Sequence, residues 1–158
     1  MSVPLQSKKK PPAAAPADQV NTEYLESLVG YNARRAAIAA IEVFLQRMAV
    51  YDLRPVDFSV LSLITHNPGI TSRQLCNTLS ILPPNLVGMI SALEKRALIE
   101  RQPHPRDGRA VGLHLTPDGE KLMREAERTA AELEAQVASR LTPTENKTLI
   151  RLLKKIYL

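Results

Sequence analysis

The stretch that most constrains this chain runs from Ile70 to Thr116. Thr71-Ser72-Arg73-Gln74 is a capping box. In such a box the Thr71 hydroxyl accepts from the Gln74 amide and the Gln74 side chain reaches back to the Thr71 amide, so two otherwise orphaned donors are satisfied. Ile70 before the cap and Leu75 after it form a hydrophobic staple. Leu75 and Leu79 share one helical face, which turns Ser72 and Arg73 outward. After the turn Ser80-Ile81-Leu82, Pro83 and Pro84 suit a first helical turn, where a missing donor does no harm. Leu86, Ile90 and Leu93 then recur at helical spacing to about Arg96 and face inward. Pro84, Asn85, Gly88 and Met89 fall on or near the other side of the N-terminal half.

A hairpin follows. Ile99 to Gln102 reads as one strand, and Val111, Leu113 and Leu115 alternate with Ala110, Gly112 and His114 as a second strand with one apolar face. Between them lies Pro103-His104-Pro105-Arg106-Asp107-Gly108-Arg109, in which Asp-Gly is a turn signal. From Lys95 to Arg109, five Lys or Arg stand against Glu100 and Asp107. Two helices and a charged hairpin make the plan of a winged helix-turn-helix. A recognition helix reads base edges from its N-terminal half, and a basic wing meets phosphate or a minor groove. The candidate DNA contacts are therefore Ser72, Arg73, Pro84, Asn85, Gly88 and Met89 on the helices, and Arg101, Arg106, Asp107 and Arg109 on the wing. Taken alone, the second helix fits a plain amphipathic helix equally well, and a charged turn is most often a solvated one.

At these residues the sequence resembles the MarR family of bacterial transcription regulators, over roughly Leu25 to Ile156. The sharpest part is Leu93-Glu94-Lys95-Arg96-Ala97-Leu98-Ile99-Glu100-Arg101, then Asp107-Gly108-Arg109, then Leu113-His114-Leu115-Thr116-Pro117-Asp118-Gly119. The family shows a helix ending Leu-Glu-x-x-Gly-Leu, an Asp-x-Arg wing tip and Leu-Thr-x-x-Gly opening the next helix. Ala97 departs from it where Gly is expected; in a left-handed conformation Ala costs on the order of 1 kcal/mol. The double proline also departs from the polar residues expected there. The resemblance implies a mainly α fold with a small β-hairpin wing and N- and C-terminal dimerisation helices. It further implies a homodimeric repressor, released from a palindromic operator in double-stranded DNA by a small aromatic acid or its CoA thioester.

At 158 residues, with 44% apolar, the chain has the size of one domain. It divides into a flexible basic arm over 1–20 and a single MarR-like domain over 21–158. Within that domain, 53–116 is the winged helix-turn-helix, and 22–50 and 117–158 are the dimerisation helices. A pI near 9.6 points to an anionic partner. No apolar run approaches the ~18 residues that span a bilayer, and the N-terminus lacks an apolar signal core. The single cysteine, Cys76, forms no internal disulfide, which fits a reducing cytoplasm. The arm, with Lys8-Lys9-Lys10, is either uninformative or a source of non-specific phosphate contacts.

A long helix is expected from about Thr22 to Val50, with the stripe Tyr24, Leu28, Tyr31, Arg35, Ile38, Ile41, Leu45 and Met48 buried. Arg35 is its odd member. Either it forms a salt bridge to an acid such as Glu42 or a partner-chain residue, or its planar fork binds an anionic ligand. Tyr31 would then stack on or hydrogen-bond to that ligand, and Arg34 is the fallback. His66 is a third ligand candidate, although a lone His at a helix end more often contacts the final carbonyls. Thr116-Pro117 opens another helix with Leu122, Ala126, Leu133 and Val137 on its buried side. Thr142-Pro143-Thr144-Glu145 caps a last one with Leu149, Leu152, Leu153 and Ile156. So small a winged domain cannot cover all these stripes, and a second copy is the economical partner. No catalytic constellation, metal-ligand spacing or phosphate loop is present, so neither an enzyme nor a cofactor is expected. A protein-interaction module using a winged helix without sequence-specific DNA contact is the alternative; the basic wing favours DNA.

Overall fold

The computed structural model describes residues 20–104 and 107–158. The expected basic arm and Arg106 lie outside the described residues, and of the side chains only those outside 104–109 are described, so the side chains of Asp107 and Arg109 fall outside as well. The chain divides into two compact units, 1–36 and 37–158.

The first unit departs from one continuous helix. A single turn, α1 (Glu23–Glu26), stops before α2 (Val29–Met48) begins. Asn32 explains the break. Its side-chain amide donates to the Glu26 carbonyl at 2.7 Å and to the Leu28 carbonyl at 2.8 Å, and the Ser27 hydroxyl donates to the Tyr24 carbonyl at 2.7 Å. Side chains that bond local carbonyls in this way offer the backbone an alternative to the helical ladder.

In the second unit, α2 ends at a 3-10 turn, Ala49–Tyr51, and α3 (Pro55–His66) follows. Then come β1 (Ile70–Thr71), α4 (Ser72–Leu79), α5 (Pro83–Lys95), β2 (Ile99–His104), β3 (Asp107–Leu115), α6 (Pro117–Val137) and α7 (Pro143–Tyr157). The sheet has three antiparallel strands in the order β1-β3-β2, so the expected two-stranded hairpin gains a third. Ile70 pairs with Leu113 and Thr71 with Gly112. That pairing demands glycine at 112, where a Cβ would stand 2.9 Å from the Gly69 backbone. The hairpin is also longer than its apolar alternation indicated, with His104 paired to Asp107.

The core joins every layer of this unit. Val60, Leu61 and Ile64 of α3 pack with Leu75 of α4, Leu86, Ile90 and Leu93 of α5, Ile99 and Leu113 of the sheet, and Met123, Ala126 and Leu133 of α6. Each of these side chains except Ala126 contributes about 1.5–3 kcal/mol when fully buried. Cys76 packs half-buried against this cluster, as a small core residue does. Expected inward residues that end up exposed are Val111 and Val137. Of the α2 stripe only Met48 is buried, and α7 buries nothing in a single chain. No single helix among the described residues is long and apolar enough to cross a membrane.

Candidate nucleic-acid interface

The helix pair is set by local chemistry. At α4 the Gln74 amide donates to the Thr71 hydroxyl at 3.3 Å and the Thr71 amide to the Gln74 side chain at 2.9 Å, so the capping box is formed in full. Ser80, left-handed at φ 53°, ends α4. α5 then leaves at a bend of 117°, within the range of helix-turn-helix units. Leu86, Ile90 and Leu93 hold its inner face in the core, as their spacing requires. Pro84, Asn85, Val87 and Gly88 are exposed on the first turns, while Met89 is half-buried. Arg73 on α4 is exposed; Ser72 is half-buried, contrary to the outward placement expected of it. Val87, 59% exposed, is the member of this face that sequence reasoning missed. Its place one step from Leu86 was the available signal.

Arg101 was expected to meet DNA, but the structure gives it a partner within the fold. Its Nε donates to Glu94 Oε1 at 2.6 Å and its Nη2 to Glu94 Oε2 at 3.1 Å, a two-pronged tie between β2 and the last turn of α5. The hydrogen bonds from Arg101 hold the Glu94 carboxyl below the usual carboxylate range. Arg101 thus fixes the wing's base against the helix, and Arg73, exposed on α4, is left to supply positive charge outward. Asp107 and Arg109 lie on β3 by backbone only.

Two further arginines position the unit. Arg96, just past α5, donates to the carbonyls of Asp52 at 2.7 Å and Tyr51 at 2.8 Å. It ties the end of α5 to the turn between α2 and α3, and the Tyr51 hydroxyl is 2.9 Å from that of Thr129 on α6. Arg54 brackets the start of α3, with its Nε 2.7 Å and its Nη2 2.8 Å from the Asp57 carboxylate. Burial pushes the Asp57 carboxyl up, but the hydrogen bonds and charge of Arg54, helped by Arg96, outweigh it and leave the group below its ordinary value.

The ligand candidates are divided between the units. Tyr31 is half-exposed, and Arg34 and Arg35 are exposed on α2, in the first. An exposed guanidinium needs no compensating acid, so the burial that argued for a salt bridge at Arg35 does not arise within one chain. His66, in the second unit, does not contact the final carbonyls of α3. Its Nε2 is 2.9 Å from Glu127 Oε1 on α6, and the Asn67 side chain takes the Leu63 carbonyl instead at 2.9 Å. Beside Glu127 a cleft of about 300 Å³ is lined by Ile64, Leu115 and Met123 together with His114, Glu120 and Arg124. No group of three or more His, Cys, Asp or Glu able to hold a metal occurs among the described residues.

Residues 51–110 match the MarR family. The chain is 30% identical over 130 residues to a putative transcriptional regulatory protein for the hcr operon of Thauera aromatica, covering 82% of this chain and 78% of that protein. The transcriptional repressor CouR bound to a 23-mer DNA duplex superposes with a TM-score of 0.83 at 34% identity, over 89% of this chain and 100% of CouR. CouR bound to p-coumaroyl-CoA gives 0.79 at 33%, over 87% and 97%. Bordetella bronchiseptica BpsR, whose DNA binding is regulated by 6-hydroxynicotinic acid, gives 0.76 at 27%, over 83% and 94%. Fold, helix-turn-helix geometry and sequence agree: the chain belongs to the MarR family of DNA-binding transcription regulators.

Proposed function

We propose that this protein is a homodimeric, non-catalytic repressor that leaves its operator when a small aromatic acid or its CoA thioester binds. The observation that carries the DNA half is the exposed N-terminal face of α5 in a fold shared with a DNA-bound repressor. In this reading α5 enters the major groove, Arg73 and the wing residues Arg106 and Arg109 neutralise phosphates, and Asp107 shapes the tip. The dimer is supported by the apolar faces that one chain leaves exposed: Ile38, Ile41 and Leu45 on α2, and Leu149, Leu152, Leu153 and Ile156 on α7. Two copies place two recognition helices about one helical turn apart, which calls for a palindromic operator.

The test is selection of duplexes from a randomised pool by the full-length protein, followed by binding isotherms at several salt concentrations. Expected are an enriched palindrome, a steep fall of affinity with salt from counterion release, and a loss of roughly 1–3 kcal/mol in Arg109→Ala. Weak binding that is alike for all duplexes overturns it in favour of a protein-interaction module.

The effector class is supported by the p-coumaroyl-CoA and 6-hydroxynicotinic acid of the two related repressors. Arg35 is the candidate partner of the anionic group, with Tyr31 against the ring and Arg34 as the fallback. A ligand that weakens DNA binding must prefer the state that binds DNA less well, and DNA then weakens the ligand by the same factor. Titrating p-coumaroyl-CoA and 6-hydroxynicotinic acid into the protein–DNA complex should release wild type and spare Arg35→Ala. Equal release from both removes Arg35 from the site.

A further inference from the structure

The geometry points to an operator read through thymine methyl groups by Val87, with Asn85 on the opposite flank of the same helix selecting adenine. This rests on the reading that α5 enters the major groove.

The exposed face of α5 is short of the usual means of reading DNA. From Pro83 to Ala92 there is no charged side chain, so the Arg or Lys contact to guanine, the commonest specific contact, has no donor on these turns. The first charged residue, Glu94, is held by Arg101. The helix start is equally poor in backbone donors. Pro83 and Pro84 have no N–H, and the Asn85 N–H donates to the Leu82 carbonyl at 3.0 Å. A helix N-terminus ordinarily grips phosphate through free amides; this one has few to offer, and anchoring falls to α4 and the wing.

What the face does offer is the amide of Asn85, the half-buried hydroxyl of Ser91 and a set of apolar groups. At 100° per residue Gly88 lies close to opposite the buried Leu86, Ile90 and Leu93, with Val87 on one flank and Asn85 on the other. A Cβ built on Gly88 meets nothing within 4 Å. Packing within the fold therefore does not require glycine there, and glycine weakens a helix by roughly 0.5–1 kcal/mol relative to Ala. Its bare surface has a use only against something outside the chain: it lets the helix axis approach the groove floor. Valine and asparagine are short and reach base edges only on such an approach. Asparagine pairs bidentately with adenine N6 and N7, and an apolar side chain contacts the thymine C5 methyl. Leu82, 69% exposed at the N-cap, adds a further apolar group at the helix start.

The experiment replaces thymines by uracils. A duplex enriched from a randomised pool by the full-length protein is remade with each thymine singly changed to uracil, which removes the methyl and leaves the pairing edge intact. For wild type, at least one such change per half-site should weaken binding about fourfold, which corresponds to one methyl group at about 0.8 kcal/mol. Val87→Ser, which alters an exposed side chain and should leave the circular dichroism spectrum unchanged, should bind more weakly and be indifferent to uracil at that same position. Asn85→Ala should lose the preference for an adenine within the half-site and keep the uracil effect. A wild type that binds its enriched duplex tightly yet ignores every uracil overturns the inference while leaving the regulator intact, as does a uracil effect undiminished in Val87→Ser. A pool with no enriched duplex overturns both.

Discussion

The winged region and the terminal helices share one pattern and put it to different ends. In α5 the residues Leu86, Ile90 and Leu93 recur at three and four and are each 1% exposed. In α7 the residues Leu149, Leu152, Leu153 and Ile156 recur just as regularly, and all stay exposed in one chain. A period of three to four names a face to be covered; it does not say by what. The winged region covers its faces with its own α3 and sheet and with α6, so the recognition helix is held within one chain. The terminal helices leave theirs open in one chain; in the proposed dimer a second copy covers them, and the spacing between two recognition helices can then change while each reading head stays intact.

The largest expected effect comes from breaking the terminal side of this comparison. Changing Leu152 and Ile156 together to Asp would place two carboxylates in the proposed interface, and burying unpaired charge is costly. The variant should sediment as a monomer with unchanged helical content, because neither residue is buried in one chain. Operator affinity should fall by roughly 10²–10⁴, the range lost when linked sites act singly. A wild type that is monomeric at micromolar concentration would contradict the division of labour altogether.

The winged side breaks differently. Gly119, in the first turn of α6, lies against β2's entry, and an added Cβ would overlap the Leu98 carbonyl oxygen. Gly119→Ala forces backbone to move and should destabilise by about 1–3 kcal/mol, seen as a lower urea midpoint, while the protein remains a dimer. An unchanged midpoint would show that the α6–β2 junction yields easily and that the winged unit is less rigid than its packing indicates.

Asp57, 7% exposed, gives a pH handle on the same unit. Its folded value lies below the ordinary 3.8. A carboxyl depressed by folding contributes stability that is fully present above the unfolded value and is lost as pH falls through the folded one. Wild-type stability should therefore drop from about pH 4 downward, and part of that drop should vanish in Asp57→Asn. At neutral pH that variant should be less stable by roughly 1–3 kcal/mol, the loss for a charged hydrogen-bonded group. Parallel pH profiles for the two proteins would mean that the Arg54–Asp57 pair is neutral to folding.

How much of this could be read in the sequence depends on how local the cause is. The caps at Thr71 and Thr142 were legible because a box of four residues contains its own explanation, and the structure forms both. The inner face of α5 was legible because its period persists for three turns. The break between α1 and α2 was not, because it turns on one asparagine amide capturing two carbonyls, which leaves the apolar stripe undisturbed. β1 escaped notice because two residues carry no alternation and become a strand only through β3, some forty residues on. Arg101 was assigned by charge alone; that Glu94 holds it depends on the hairpin folding back over α5. The ties from Arg96 to Tyr51 and Asp52 span 45 and 44 residues and end on carbonyls, which no side-chain pattern announces. Val87 announces nothing by residue type, because an apolar side chain within an apolar helix looks like core until its angle from Leu86 is taken.

The smallest expected effect sharpens the winged side and has the opposite sign. Ala97 sits between α5 and β2 at φ 55°, left-handed, where the family expects glycine. Both neighbours hold it there: its N–H donates to the Glu94 carbonyl at 2.8 Å, and its own carbonyl accepts from the Thr116 hydroxyl at 2.5 Å. The left-handed conformation costs a residue with a Cβ about 1–2 kcal/mol. Glycine removes that strain but adds freedom to the unfolded chain, which takes back about 0.4–1 kcal/mol. Ala97→Gly should thus stabilise the protein by about 0.5–1 kcal/mol and raise Tm by a few degrees, with dimerisation and operator affinity unchanged. A lower Tm would mean that the unfolded-state term outweighs the strain, and that alanine is the better residue at this junction because its bond to the Glu94 carbonyl and the one from the Thr116 hydroxyl already fix it.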